Sequence, residues 1–350
     1  MGLVDTADTV DVVALGESMV TFLPSRAGRL ADVPSFDRAI GGAESNVACV
    51  LAAAGHSARW VGRLGADGFG DHVVERIAGY GVDVSSVDRD PFRPTGVYFR
   101  TAGDRGTGAH EVAYYRAGSA ASAMSVANVD LAAAWSGRVL HLSGITAALS
   151  AECLELMYAL TAPRTGRPLV SFDVNYRPAL WRHTPDGPGA LLELARRADI
   201  VFLGDDEARD AWGLHGGRAV VDALPEPAIV VVKQGGGGAT AFGGGEKGTA
   251  GTAVFVPAPK VDVVAHVGAG DAFAAGFLSG TLRGLPLKAR LRYGHLFAAA
   301  TLTTPADLAA PPARDHADRL TALDDTAWGR LRLAPGWTQA EWDEEEANTP

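Results

Sequence analysis

The segment Val263-Val264-Ala265-His266-Val267-Gly268-Ala269-Gly270-Asp271 is the most informative part of this sequence. An apolar, β-branched run ends at Gly268, and small and apolar residues spaced as in a helix follow from Ala272. Backbone N–H groups at such a helix N-terminus point outward and form an anion site. Because a carboxylate would repel an anion, Asp271 is predicted to be a base that accepts a proton from a nucleophile. The alternative is an ordinary helix N-cap.

Composition and charge fit a soluble globular protein and limit its partners. The 350 residues are 47% hydrophobic and 21% charged, as in soluble globular chains. The formal net charge of −10 argues against a nucleic-acid partner but leaves a nucleotide ligand open. No apolar run approaches the ~20 residues that span a bilayer, and no signal peptide is recognisable. Cys49 and Cys153 indicate neither a metal site nor a disulfide framework, so we expect a cytoplasmic protein without a membrane partner.

Strand and helix patterns alternate along most of the chain. Apolar runs predict strands over 10–15, 58–61, 139–142, 169–173, 200–203 and 229–233. Helical patterns cover 46–54, 68–80, 151–162, 189–198, 207–212, 272–283 and 288–301. This alternation predicts an α/β fold with a doubly wound, mostly parallel sheet flanked by helices. Strands over 95–101 and 111–116, joined by a tip at 102–108, interrupt the pattern as a hairpin. A late antiparallel pair is predicted over 239–242 and 253–256.

Two further segments carry a family signal. Gly41-Gly42-Ala43-Glu44-Ser45-Asn46-Val47-Ala48 is followed by Gly62-Arg63-Leu64-Gly65-Ala66-Asp67-Gly68-Phe69-Gly70-Asp71. Together with the Gly268–Asp271 turn, in this order and at this separation, they resemble the ribokinase (PfkB) family of carbohydrate kinases. The resemblance runs from about Val12 to Pro312. It implies a ribokinase-like fold and ATP-dependent phosphorylation of a sugar hydroxyl.

The resemblance also implies the domain organisation. One kinase domain would span residues 10–312, and the hairpin would belong to a small β-sheet lid over the sugar site, formed by about 17–40 and 93–118. Lid edges and apolar lid faces are usually covered, and relatives often pack two lids together, so a homodimer through the lid is expected. Residues 313–350 would be a C-terminal extension with an acidic, solvated end at Glu341–Glu346.

Phosphoryl transfer needs a positioned hydroxyl, a base and charge neutralisation on the phosphates. By resemblance, Asp271 is the base, and the backbone N–H groups of Ala269, Gly270 and Asp271 form the anion hole. Gly268 and Gly270 allow the backbone to approach the phosphate without an intervening Cβ.

The nucleotide site follows from the same resemblance. Lys233 and the loop with Gly235 and Gly238 border the ATP phosphates and adenine in the family, and residues about 299–305 would close the base pocket. The glycines shape this loop, and Lys233 is not expected to be catalytic.

Two rival nucleotide motifs are missing from the sequence. Gly243–Gly248 lacks the Lys-Ser/Thr pair of a Walker A loop. A single glycine, Gly16, follows the first strand, where a dinucleotide fingerprint would need three.

Sugar-binding residues follow from matching family positions. Gly41, Gly42 and Asn46 match contacts to sugar hydroxyls, since glycines allow close approach and Asn offers a donor and an acceptor. A tight turn before a helix is an alternative explanation for Gly41. Glu17 follows the first strand, where the family places an acidic or polar sugar contact.

Four residues bear on the identity of the sugar: Tyr98, Tyr114, Arg116 and Arg177. The segments that resemble the 2-keto-3-deoxygluconate kinase branch are 16–19, 114–120, 141–145 and 173–178. The carboxylate of a sugar acid would take an Arg as its bidentate partner. Fructokinases share the Asn-x-Arg element of Arg177, so the Tyr-x-Arg at 114–116 is the sharper indication. In the alternative interpretation of this segment, the tyrosines are ordinary aromatic strand residues and Arg116 is a solvated side chain on the lid.

The sequence departs from the family pattern in two places. Ala265-His266-Val267 stands where relatives carry Asp-Thr-x, part of a site for an activating monovalent cation, so weak cation activation is expected. Gly204-Asp205-Asp206-Glu207 replaces an Asn-x-x-Glu near the metal and phosphates. Glu207 remains as an indirect Mg²⁺ contact, and Asp205 or Asp206 could substitute for the Asn, because phosphates and water supply most Mg²⁺ ligands.

Three functions remain open at this point. The first is an ATP- and Mg²⁺-dependent kinase of a keto-sugar acid. The second is a related kinase of a neutral sugar, such as fructose, or of a sugar-like moiety in secondary metabolism. The third is a catalytically weak relative that binds a sugar or nucleotide and regulates, which the intact Gly268–Asp271 turn argues against.

Overall fold

The computed structural model describes residues 9–26, 28–101, 111–182, 184, 186–243, 252–265, 267–306 and 308–339. Four features singled out in the sequence lie outside these ranges: the hairpin tip, residues 244–248 of the glycine-rich stretch, His266 and the acidic end. Among the described helices, none has the length and apolar character needed to cross a membrane.

The described residues form the following elements. The strands are β1 (Val10–Leu15), β2 (Met19–Pro24), β3 (Phe36–Gly41), β4 (Ala58–Val61), β5 (Arg63–Gly65), β6 (Asp88–Asp90), β7 (Val97–Arg100), β8 (Val112–Tyr115), β9 (Gly137–Ser143), β10 (Leu169–Asp173), β11 (Ile200–Gly204), β12 (Ile229–Lys233), β13 (Ala239–Gly243), β14 (Thr252–Val256), β15 (Lys260–Val261) and β16 (Arg332–Leu333). The α-helices are α1 (Ala43–Ala53), α2 (Gly68–Ala78), α3 (Leu131–Ala134), α4 (Gly144–Ala147), α5 (Ala151–Thr161), α6 (Pro178–Trp181), α7 (Gly187–Arg196), α8 (Asp205–Trp212), α9 (Gly216–Ala223), α10 (Ala269–Leu282), α11 (Leu287–Leu302), α12 (Arg314–Thr321) and α13 (Asp325–Arg330). Short 3₁₀ turns lie at Ala121–Ala123, Gly235–Gly237 and Trp337–Gln339.

The main sheet of the described residues has eight strands in the order β14-β13-β12-β11-β10-β9-β1-β4. Every neighbouring pair from β12 to β4 is parallel. The pairs β12–β13 and β13–β14 are antiparallel. Parallel strands need crossover connections, which the intervening helices supply. The predicted α/β class, the mostly parallel doubly wound sheet and its late antiparallel pair are confirmed.

Alternating side chains explain why helices cover both faces of this sheet. Val12 and Phe202 point into a core shared with α1, α10 and α11. Their chain neighbours Val13 and Val201 point into the opposite core, against α5 and α7. Successive residues of a strand face opposite sides, so strands that are apolar at every position are stable only between two layers.

A separate four-stranded sheet forms the predicted lid. Its order is β3-β2-β7-β8, so the early segment supplies one pair and the hairpin the other. Phe22 and Phe99 stack within it with ring centroids 4.6 Å apart. Val20 and Ile40 of the lid are buried in one cluster with Val73 of α2, which attaches the lid to the main body. The small lid sheet is confirmed.

Two helices begin three residues earlier than their sequence pattern predicted. α1 begins at Ala43 instead of Asn46, and α10 begins at Ala269 instead of Ala272. In both cases a glycine, Gly42 or Gly268, immediately precedes the helix. The predicted starts were wrong because small polar residues in a first turn carry no apolar periodicity.

Part of the segment beyond residue 312 is built into the core. α12 and α13 lie there, and β16 pairs with β15 in parallel. Trp328, Leu333 and Trp337 are buried in the same cluster as α10 and α11. The Trp328 indole donates a hydrogen bond of 2.9 Å to the carbonyl of Pro257. The described part of this segment, up to residue 339, therefore closes one side of the sheet.

Candidate active site

A cavity of about 400 Å³ lies between the lid and the carboxyl ends of the central strands. Ligands of open α/β sheets bind at this edge, where strand ends and helix N-termini converge. All eight residues predicted to bind the sugar line it, together with Asp271, Gly268, Gly270, Lys233 and Glu207. Three other predicted site residues, Ala269, Gly235 and Gly238, are not part of its wall.

Asp271 lies at the floor of this cavity, in the first turn of α10. Gly268 precedes the helix, so Asp271 is not its N-cap. The Asn46 side chain donates a hydrogen bond of 2.8 Å from Nδ2 to Oδ2 of Asp271. Burial, with a smaller contribution from Asp173, raises the pKa of Asp271 to about 7 against the opposing effects of Asn46 and Lys233. A carboxyl group with a pKa near neutrality suits proton abstraction at physiological pH.

The N-terminus of α10 has the backbone geometry that an anion site needs. Gly268 has φ +78°, a left-handed conformation that other residues adopt only with strain. A Cβ built on Gly270 would lie 3.7 Å from Nζ of Lys233, so this position faces a cationic group. Glycine at 268 is therefore required by backbone conformation, and glycine at 270 keeps the space beside the ammonium group open.

Lys233 forms an ion pair with Asp173 at the ends of β12 and β10. Its Nζ lies 2.9 Å from Oδ2 and 3.2 Å from Oδ1 of Asp173. Burial disfavours the ammonium, but Asp173 and Glu207 outweigh it and raise the pKa of Lys233. Glu207 is itself held in place, since its Oε2 accepts a hydrogen bond of 2.9 Å from the Gly204 N–H. Lys233 therefore remains protonated at neutral pH.

A second ion pair closes the opposite wall. Arg116 of the lid donates through Nη2 to Oε2 of Glu17, and their side chains are 10% and 2% exposed. Ser119 adds a long contact of 3.5 Å to Oε1 of Glu17. Burial raises the pKa of Glu17 despite the nearby Arg116. This pair connects the lid to the end of β1.

Glu44 is a second buried carboxyl group close enough to Glu17 for the two to repel each other. Ser143 and Thr146 each donate a hydrogen bond of 2.7 Å to Oε1 of Glu44. A Cβ on Gly16 would lie 2.1 Å from the Glu44 carboxyl carbon, so the carboxyl group packs directly on the β1 backbone. Burial raises the pKa of Glu44 to about 7. In the sequence, only the position of Glu44 within the motif over residues 41–48 points to it.

The remaining sugar-site candidates differ in exposure. Tyr98 and Tyr114 face each other across β7 and β8 with ring centroids 5.4 Å apart. Tyr98 is buried, whereas Tyr114 is 53% exposed. The Arg177 side chain is 52% exposed and lies 3.5 Å from Glu207. Arg177 is thus the more accessible of the two predicted carboxylate partners.

At two positions the surrounding backbone requires glycine, independently of any ligand. A Cβ on Gly42 would lie 2.4 Å from the Glu17 carbonyl oxygen, so this glycine accommodates the β1–β2 connection. Gly238 has φ +133°, and a Cβ there would lie 2.5 Å from the Val256 carbonyl oxygen. Both would be glycine even without a ligand.

Several residues that line the cavity are not among those that the sequence motifs predict. Asp173 is the last residue of β10, and Asn175 follows two positions later. Asn175 has φ +43°, which Asn tolerates better than most residues. Met19 and Ile145 add apolar surface. The position of Asp173 at a strand end was the available signal, because strand ends of parallel sheets meet at one edge.

The described residues provide no preformed metal cluster. No group of three or more His, Cys, Asp or Glu side chains among them is placed to hold an ion. Oδ1 of Asp205 is buried and has no hydrogen-bond partner within the described ranges. A base, a helix N-terminus and a lysine at one strand edge are suited to transferring a phosphoryl group to a hydroxyl.

Comparisons with known proteins agree with this class. A profile described as pfkB family carbohydrate kinase matches residues 10–314. A 2-dehydro-3-deoxygluconokinase of Bacillus subtilis (strain 168) is 34% identical over 311 residues, covering 87% of this chain and 94% of the relative. Fructokinase-2 of Zea mays is 32% identical over 279 residues, covering 76% and 78%. The crystal structure of a PfkB protein from Polaromonas sp. JS666 matches with a TM-score of 0.75 at 34% identity, covering 90% of this chain and 100% of that one.

The chain belongs to the pfkB family of carbohydrate kinases. It is a sugar phosphotransferase, and the predicted resemblance and ribokinase-like fold are confirmed. Relatives with two different sugar names match over most of the chain. Membership of the family therefore establishes the reaction, whereas the identity of the sugar depends on the residues that line the cavity.

Proposed function

We propose that this protein phosphorylates a hydroxyl of a 2-keto-3-deoxygluconate-type sugar acid, with ATP as the donor. The observation that carries the proposal concerns Arg116. This side chain lies at the cavity wall and is only 10% exposed, and its buried Nε has no hydrogen-bond partner among the described residues. A buried unsatisfied donor costs about 1–3 kcal/mol until a ligand supplies an acceptor. A substrate carboxylate would supply one through a charge-assisted bond.

The reacting hydroxyl is proposed to lie between Asp271 and Asn46. Oδ1 of Asn46 is buried without a hydrogen-bond partner in the described part of the chain, while Nδ2 is used by Asp271. A sugar diol would satisfy both side chains, donating one proton to Oδ1 and the other to Asp271. Asp271 then takes its proton as the hydroxyl oxygen attacks phosphorus, and the N–H groups of Ala269, Gly270 and Asp271 bind the transferred group.

Mg²⁺ is proposed to arrive with the nucleotide. The unpartnered Oδ1 of Asp205 and the carboxylate of Glu207 fit a hydrated ion whose direct ligands are phosphates. When bound, the ion would neutralise charge on the donor phosphates. Asp205 and Glu207 would hold its water ligands from the N-terminal turn of α8.

The test measures kcat/KM for two sugars, 2-keto-3-deoxygluconate and fructose, in the wild type and in Arg116→Ala. In the wild type, kcat/KM should be higher for 2-keto-3-deoxygluconate than for fructose. Arg116→Ala should lower kcat/KM for the sugar acid by roughly one to two decades, because a charge-assisted hydrogen bond contributes about 1.5–3 kcal/mol. The same substitution should lower kcat/KM for fructose much less.

Removing Arg116 also leaves Glu17 buried without its partner, so a matched background is needed. In Glu17→Gln the orphaned charge is absent, and adding Arg116→Ala should still depress the acid selectively. Equal losses for both sugars in both backgrounds would contradict carboxylate recognition.

A neutral ketose is the second candidate substrate. It is favoured by the fructokinase relative and by Glu17, which already neutralises much of the Arg116 charge. Higher kcat/KM for fructose in the wild type would replace the sugar-acid proposal with this one. A wild type that releases no ADP with any sugar or sugar acid would instead indicate a binding regulator.

A homodimer through the lid also remains a proposal. β8 is an edge strand of the lid sheet, and its Tyr114 and Tyr115 side chains are 53% and 67% exposed. Exposed edge strands with aromatic surface are usually covered by a partner. A cytoplasmic location is proposed from the two buried free thiols, Cys49 and Cys153.

A further inference from the structure

Lys233 occupies a position that a purely structural ion pair would not favour. Its ammonium lies beside Gly270 in the first turn of α10, where a helix carries partial positive charge. A cation placed there is electrostatically unfavourable unless anions offset it. Asp173 and Asp271 do so partly, and both raise the pKa of Lys233. The combination of a lysine and a helix N-terminus at one point favours an additional anionic ligand.

The main sheet allows Lys233 to reach across one strand. Lys233 on β12 is paired in register with Gly204 on β11, and its ammonium bonds Asp173 on β10. Gly204 is the residue that interrupts the family's Asn-x-x-Glu pattern, and it has no side chain to offer the lysine a partner. The ammonium is therefore held from the far side of β11 by Asp173.

The hydrogen bonds of Lys233 leave it able to bind a ligand. An ammonium has three N–H donors. Within the described residues both of its hydrogen bonds go to one carboxylate, that of Asp173. Lys233 also lines the cavity that contains Asp271. At least one donor can therefore point to a group held at the N-terminus of α10.

We propose that Lys233 is a catalytic residue that contacts the phosphoryl group during transfer, and that Asp173 is the positioning residue that holds its ammonium there. In this step the bond from phosphorus to the sugar oxygen forms as the bond to the bridging oxygen breaks. The electron pair stays on the nucleoside diphosphate, the hydroxyl proton goes to Asp271, and Lys233 keeps its protons. The proposal rests on phosphoryl transfer and not on which sugar is the acceptor.

The decisive comparison is between Lys233→Met, Lys233→Arg and a control, Lys288→Met. Lys288 pairs with Asp325 at the surface and controls for loss of one lysine. Each variant is assayed with whichever sugar the wild type turns over best. Lys233→Met should lower kcat by about 10²–10³-fold, the usual loss for one transition-state donor, and Lys233→Arg should recover part of it. Lys288→Met should match the wild type.

The pH profile separates direct contact from an indirect effect on the base. Lys233 lowers the pKa of Asp271, so its removal should move the acidic limb of kcat/KM to higher pH. If Lys233 acted only through Asp271, the rate would recover fully above that limb. A kcat plateau that stays about 10²-fold low at high pH supports direct contact. Full recovery at high pH would overturn the proposal.

A binding measurement supplies a readout that does not depend on turnover. ADP with Mg²⁺ and fluoroaluminate, which mimics the phosphoryl group in transfer, is titrated by calorimetry in the presence of sugar. Lys233→Met should bind ADP within about threefold of wild type but bind the fluoroaluminate complex at least about 30-fold more weakly. Asp173→Asn should show a smaller loss of the same kind. Equal affinity of Lys233→Met and wild type for the fluoroaluminate complex would refute the assignment, whatever the sugar proves to be.

Discussion

Replacing Asp271 with Asn tests both the chemistry and the electrostatics of the site. The amide is nearly isosteric, and its oxygen can still accept the hydrogen bond that Asn46 donates to Oδ2. What the change removes is the ability to take a proton. Loss of a general base typically lowers the rate by about 10²–10⁴-fold, so we expect that loss in kcat with nucleotide affinity nearly unchanged.

The same substitution should stabilise the protein at high pH. Burial raises the pKa of Asp271 from 3.8 to about 7, so the folded state disfavours the charged carboxylate. The wild type therefore loses stability as pH rises from about 4 to about 7, and the Asp271→Asn variant does not suffer that loss. The pKa difference corresponds to roughly 4 kcal/mol as an upper bound. Because the Asp271 side chain is only partly buried, we expect a smaller gain of about 2–3 kcal/mol.

Two measurements check this reasoning. Steady-state kinetics from pH 5.5 to 9 should show wild-type kcat/KM falling about tenfold per pH unit below pH 7, with the residual activity of Asp271→Asn flat. Denaturant unfolding should give Asp271→Asn the larger free energy of unfolding at pH 8 but not at pH 4. Asp210→Asn, at an exposed carboxylate, is the control. A variant that keeps most of its kcat would show that Asp271 is not the base, and no stability gain at pH 8 would refute a carboxyl group held at a raised pKa.

Other predictions follow from the same contacts. Activation by potassium should be weak, because Ala265 provides no side-chain ligand for the ion. Initial rates are compared in potassium and in a bulky organic cation at equal ionic strength, and a strong, saturable increase with potassium would contradict this prediction. The protein should elute as a dimer by light scattering at micromolar concentration, because the β8 edge of the lid is exposed, and a monomer would argue against lid pairing. Trp328→Ala should lower the free energy of unfolding by about 3–5 kcal/mol, since its ring is buried in the core with α10 and α11; a loss near zero would show that the C-terminal segment contributes little.

Local sequence was sufficient for the framework of the fold. Strands such as Leu169–Asp173 and Ile229–Lys233 were predicted with their observed bounds because apolar, β-branched runs bounded by polar residues indicate buried strands without further context. The helix N-terminus at Gly268–Asp271 was equally local, since small residues after a β-branched run allow a sharp entry into a helix. Helix starts at Ala43 and Ala269 were missed because the first turn has no apolar period.

The cavity's residues could be named from motifs, but their partners could not. Asn46 and Asp271 are 225 positions apart, Glu17 and Arg116 are 99 apart, and Asp173 and Lys233 are 60 apart. Spacing along the chain carries no information about such pairs, because the sheet order and the lid bring them together. This explains why Lys233 was placed beside the nucleotide and Asp173 was given no role at all.

The sequence by itself determined the class of fold and identified the candidate anion site and the candidate sugar-binding residues. These depend on local periodicity, on glycine at a positive φ and on matching motifs. Only the tertiary structure decided the charge state of those residues and what each one contacts. Burial raises the pKa of Asp271 and Glu44 to about 7, and ion pairs occupy Lys233 and Arg116. Desolvation and pairing depend on every element packed around a group, and that arrangement exists only once the chain has folded.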